Sequence, residues 1–108
     1  KILKELLNEV ETSVFMEYQR AAEKFGIANN SAHESYAVLL EEFEEAKTEA
    51  EKFEAMLGFY WHGVKKNDVN ICAECLPKMQ EMAIRAAAEW IQVAAMCYKA
   101  RIEPEANT

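Results

Sequence analysis

Apolar side chains recur every three to four residues along almost the whole chain, which is the spacing of amphipathic helices and not of strands. Ile2/Leu3, Leu6/Leu7, Val10, Val14, Tyr18, Ala21/Ala22 and Phe25 mark a first helix over about residues 2–25. Gly26 is its expected terminator, because glycine takes a left-handed conformation without strain. Ser31 and Glu34 then fit a capping box, in which the serine hydroxyl accepts the N3 amide and the glutamate reaches back. Tyr36, Leu39/Leu40, Phe43, Ala46, Ala50, Phe53, Leu57 and Tyr60/Trp61 continue as one stripe. A second helix is therefore expected to end near Trp61 or His62, with Gly63 stopping it and Gly58 weakening the last turn. Lys65-Lys66-Asn67-Asp68 reads as a turn with Asp68 as N-cap. A third helix runs to about Ile102, with a kink or break expected at Pro77. Residues 105–108 are expected to fray. No strand signal, repeat or flexible linker interrupts this pattern. It predicts one all-α domain over residues 1–108, built from about three long amphipathic helices in an antiparallel bundle.

Composition adds an expectation about assembly. Hydrophobic residues make up 51% of the 108, including Trp61, Trp90, five Phe and four Tyr. Three helices of this length struggle to cover so many aromatics, so dimerisation is expected to complete the bundle. The formal net charge is −7, from 19 acidic and 12 basic residues. No basic cluster exceeds Lys65-Lys66, which argues against nucleic acid as a partner, since displacing counterions needs a positive stripe. There is no signal-peptide pattern and no apolar run of spanning length, so no membrane partner and a cytoplasmic location are expected. Cys72, Cys75 and Cys97 are odd in number, which argues against a disulfide framework.

Candidate chemistry concentrates where acidic residues border the apolar stripes. On a helical projection of the second helix, Glu42 falls roughly 60° from the stripe centre, Glu49 about 80° and Glu45 about 120°, all on one side. Together they make a carboxylate edge beside the core, and carboxylates three and four residues apart can supply oxygens to a hard cation such as Mg²⁺. On the third helix Arg85, Glu89 and Gln92 share a flank, with Glu89 about 110° from the centre of its stripe. If the two flanks face each other, these polar side chains share a cleft. The competing reading is a solvated face with a surface ion pair between Arg85 and Glu89.

Glu42-x-x-Glu45 followed by Glu89-x-x-Gln92 resembles the paired E-x-x-E and E-x-x-D motifs of the MazG-like all-α nucleotide pyrophosphohydrolases. Glu41-Glu42 and Lys24-Phe25-Gly26 are also similar to that group. Residues 30–45, with 89–96, look similar to a set of uncharacterised phage and prophage proteins. The resemblance covers about half the chain. It implies a hydrolase in which Glu42, Glu45 and Glu89, supported by Glu49 and Gln92, bind Mg²⁺, with Arg85 contacting phosphate. The implied reaction cleaves a nucleoside triphosphate to a monophosphate and pyrophosphate. Gln92 stands where the family has aspartate, and an amide oxygen can ligate a metal but brings no charge. The interval between the motifs is longer than usual. The alternative is a non-catalytic helical oligomerisation or adaptor protein of phage or prophage origin.

Other motifs carry less. Cys72-x-x-Cys75, with His62 or His33, offers at most part of a zinc site. Small buried hydrophobes are the simpler reading of the cysteines, Cys97 included. Phe59-Tyr60-Trp61 is expected in the core or at a subunit interface.

Overall fold

The computed structural model describes residues 2–104. Three α-helices account for nearly all of them: α1 (Lys4–Phe25), α2 (Ala32–Lys65) and α3 (Val69–Ala100). The chain is thus all-α, with no strand among the described residues. No helix among them is long and apolar enough to cross a membrane. The tail expected to fray, residues 105–108, lies outside this span.

Local chemistry sets most helix ends. Gly26 has φ 100° and donates its N–H to the Ala22 carbonyl at 2.9 Å, closing α1. Its ψ of 159° sends the chain out extended, so glycine is needed for its positive φ although the conformation is not the left-handed helical one. Ser31 Oγ accepts the Glu34 N–H at 3.1 Å, as a capping box requires. The return contact is displaced by one residue: Glu34 Oε2 accepts from the backbone N–H and Nδ2 of Asn30. Asp68 Oδ1 accepts the N–H groups of Asn70 and Ile71, both at 3.1 Å, and so caps α3. Asn67 supplies the left-handed residue of the turn, φ 54°.

Two expected helix breaks are absent. Gly63 does not stop α2, which continues to Lys65. Its role is packing: a Cβ there would lie 2.6 Å from Ile71 Cγ2, so only glycine lets α3 approach this closely. Pro77 does not break α3, which runs 32 residues through it. Its ring removes one backbone donor, and the buried Cys75 and Met79 on either side hold the helix in place.

The chain divides into two compact units. One contains α1 with the start of α2 (to Phe43) and the end of α3 (from Trp90). Tyr18, Ala95 and Met96 are its buried centre, packed by Val14, Ala22, Val38, Leu39, Tyr98 and Ile102. Tyr18 stacks edge-on to Tyr98 at 4.7 Å and donates its hydroxyl to the Ile27 carbonyl at 2.9 Å, which ties the loop after α1 to the core. The other unit, residues 44–89, is a helical hairpin whose buried side chains include Ala46, Cys75 and Met79.

Burial along α2 follows a three–four alternation: positions 39, 42, 46, 49, 53, 56, 60 and 63 are covered, while their neighbours from 40 to 65 are exposed. On α3 the corresponding positions are 72, 75, 79, 82, 86 and 89. This is the 3.5-residue repeat of a helix–helix seam. Glu42, Glu49 and Glu89 occupy seam positions, closer to the core than the projection from apolar residues placed them. The reason is a second apolar stripe on α2, comprising Tyr36, Leu40, Phe43, Leu57 and Trp61, which is exposed. Averaging both stripes displaced the inferred centre of the buried face.

Candidate metal centre

Glu45 and Glu49 lie one turn apart on α2, and Glu89 on α3 packs beside them. Burial holds the Glu89 carboxyl above the usual carboxylate range. The charge of Glu45, a hydrogen bond to Glu45 and the charge of Glu49 push it the same way. Glu42 precedes Glu45 by three residues on the same unbroken helix. Among the described residues, the carboxylates of Glu42, Glu45 and Glu89 form the group fit to hold a cation, each offering an oxygen within 4.8 Å of the others. Ligands of an octahedral ion at about 2.1 Å lie no more than about 4.2 Å apart. With oxygens up to 4.8 Å apart, the three carboxylates would have to draw closer to ligate one Mg²⁺ together. Oxygen donors suit a hard cation, and three carboxylates would leave coordination positions for water and phosphate.

The supporting residues divide. Glu49 lies in the seam and pairs with Lys52 at 3.4 Å, close enough to Glu89 to act on it electrostatically. Gln92 donates from Nε2 to Glu17 Oε2 on α1 at 2.6 Å, and Glu17 also pairs with Arg20. The Gln92 amide thus has an acidic neighbour, beside which a carboxylate in its place would be repelled. Arg85 pairs with Glu81 at 2.9 Å and not with Glu89. It lines a separate cleft of about 240 Å³ with Glu49, Lys52, Lys78, Glu81 and Met82.

A larger cleft, about 390 Å³, lies in the unit that contains α1. Ala21, Phe25, Asn29, Glu34, Val38, Glu41, Glu42, Gln92, Met96 and Lys99 line it. Asn29 is buried and donates from Nδ2 to Ser35 Oγ at 2.8 Å. Neither Lys99 nor Glu17 stood out in the sequence. The available signal was their interruption of apolar faces, since 91–100 is apolar around nearly its whole circumference except at Gln92 and Lys99.

Of the cysteines, Cys75 is buried and Cys72 half-buried, its Sγ 3.5 Å from the place a Gly63 Cβ would take. Cys97, expected in the core, is exposed because it points away from the face of α3 that carries Ala95 and Met96. The Phe59-Tyr60-Trp61 cluster is likewise split, with Tyr60 half-buried in the seam and its neighbours exposed.

No protein-family model, curated protein or solved structure matches the chain.

Proposed function

We propose that the chain is a Mg²⁺-dependent nucleotide pyrophosphohydrolase of the MazG-like kind, converting a nucleoside triphosphate and water to a monophosphate and pyrophosphate. The observation that carries this reading is the grouping of the Glu42, Glu45 and Glu89 carboxylates. Burial first, and then the charges of Glu45 and Glu49, raise the affinity of Glu89 for its proton, and a divalent cation would offset that charge crowding. A bound Mg²⁺ would supply Lewis-acid activation of water and neutralisation of phosphate charge. Glu42, Glu45 and Glu89 would hold the cation, and the hydrogen bond between Gln92 and Glu17 ties α3 to α1.

The test is thermal and catalytic. At a hundred times its Kd, Mg²⁺ or Mn²⁺ should add about 2.7 kcal/mol to folding, a Tm increase of roughly 10 °C for a domain of this size. Glu42→Gln or Glu45→Gln should abolish that increase without unfolding the apo protein. Pyrophosphate release should be measured alongside over a nucleotide panel. No metal response in the wild type would remove the basis of the proposal.

A second reading, a non-catalytic oligomerisation or adaptor protein, is favoured by the exposed apolar stripe of α2 and by the amide at Gln92. A metal response without pyrophosphate release would select it.

A further inference from the structure

Lys99 is buried to within 5% of full enclosure in the last turn of α3. Lysine is almost never so buried unless paired. Glu17, Glu49 and Glu81 pair with Arg20, Lys52 and Arg85, and Lys99 joins no such ion pair or hydrogen bond among the described residues. None of the fully enclosed side-chain nitrogens or oxygens among them lacks a hydrogen-bond partner. An ammonium without one must therefore meet open space, and the space Lys99 lines is the 390 Å³ cleft. A buried stem delivering an unpaired cation into a cavity is a cost to the free protein, one that an anionic ligand would remove.

The other walls narrow the choice of anion. Glu34, Glu41 and Glu42 face the same cleft, so a bare anion would be repelled. A phosphate chain entering as its divalent-metal chelate meets both signs of charge: carboxylate for the cation, ammonium for the oxygens. Phe25, 70% exposed, lends the cleft an aromatic wall on which a base could pack.

We infer that this cleft binds the phosphate chain of a metal-chelated nucleotide, with Lys99 as its phosphate contact and Phe25 as the platform for the base. The nucleotide identity rests on the proposed function; the phosphate contact does not require hydrolysis. Lys99 thereby takes the role that sequence alone suggested for Arg85.

Calorimetric titration with two probes in Mg²⁺ tests this: inorganic tripolyphosphate, and a nucleoside triphosphate with a methylene bridge between its α and β phosphorus atoms. Both should bind the wild type. Lys99→Met should weaken both at least tenfold while leaving the Mg²⁺-only melting response intact, and Lys99→Arg should restore most of the affinity. Phe25→Ala should weaken the nucleotide analogue alone. Equal affinity in wild type and Lys99→Met, or no binding of either probe to wild type, would overturn the inference. Should the Lys99→Met protein fail to fold, ¹H–¹⁵N spectra of the wild type titrated with tripolyphosphate and Mg²⁺ decide instead. Shifts centred on Lys99, Gln92 and Asn29 support it, and shifts elsewhere or none refute it. Lys99-dependent binding in a protein with no Mg²⁺-only response would sink the metal centre and leave this site standing.

Discussion

Glu89 is where a single side chain connects stability to the proposed chemistry. Its carboxyl binds a proton more tightly than an ordinary glutamate, first because it is partly buried and then because Glu45 and Glu49 are close. The folded state therefore favours the neutral form. Stability from this preference is complete below the ordinary value of 4.5 and is lost as pH rises through the raised folded value. Replacing the carboxyl with an amide removes the loss. Between mildly acidic and neutral pH, the wild-type urea midpoint should fall relative to that of Glu89→Gln, and at neutral pH the variant should be at least as stable. Parallel pH profiles for the two proteins would contradict the assignment. A saturating divalent cation should close the gap by stabilising the wild type selectively. The same residue marks what sequence could convey. The carboxylate edge of Glu42, Glu45 and Glu49 on α2 and the flank position of Glu89 on α3 were readable, because helical periodicity fixes which residues of one helix share a flank. The pairing of Gln92 with Glu17 was not, because it joins residues 75 positions apart and depends on how α1 packs.

At the scale of helices, two glycines in α2 separate intrinsic propensity from packing. Gly58 and Gly63 both sit inside the helix, although sequence suggested a weak last turn at the first and a stop at the second. Nothing lies within 4 Å of a Cβ built at Gly58, whereas one at Gly63 would meet Ile71 Cγ2 at 2.6 Å and its Cβ at 3.1 Å. Isoleucine is branched at that carbon and stiff, so the neighbouring helix itself would have to yield. Gly58→Ala should therefore stabilise by about 0.5–1 kcal/mol through helix propensity. Gly63→Ala should destabilise by about 1–3 kcal/mol through overpacking. Urea unfolding of the two variants tests the pair, and a loss at Gly58 or a gain at Gly63 would contradict it. The contrast also explains why α1, the turn and the Asp68 cap were legible while the ends of α2 and the continuity of α3 were not. Caps are local chemistry written in adjacent residues. The roles of Gly63 and Pro77 depend on the opposing helix, to which a single-helix pattern is blind. The two apolar stripes of α2 were likewise merged because periodicity alone does not say which one has a partner.

That uncovered stripe has consequences for the whole molecule. Large apolar groups are exposed on it and beside it: Phe43 is 42% exposed, Trp90 48% and Trp61 57%. They are not scattered. Phe43 meets Trp90 edge-to-face at 6.1 Å, so the exposed stripes of α2 and α3 open on the same side there. In the other unit, Leu57 and Trp61 are exposed one turn apart on α2, and Leu76 is exposed on α3. A patch of this kind, repeated in a second copy, is self-complementary in the manner a two-fold dimer requires. It would need to cover only about 1,000 Å² in total for a specific association. Light scattering at micromolar concentration should therefore give at least twice the mass of 12.4 kDa. Leu57→Glu places a charge in the exposed stripe and leaves the buried seam untouched, so it should shift the mass towards monomer with helicity retained. The tryptophan emission should move to the red in the same variant, because Trp61 lies one turn away. A wild type that stays monomeric up to high micromolar concentration would reject a second copy as the partner of this face. A dimer indifferent to Leu57→Glu would place its interface elsewhere, with the exposed Leu3, Leu6, Leu7 and Val10 of the N-terminal region as the next surface to test.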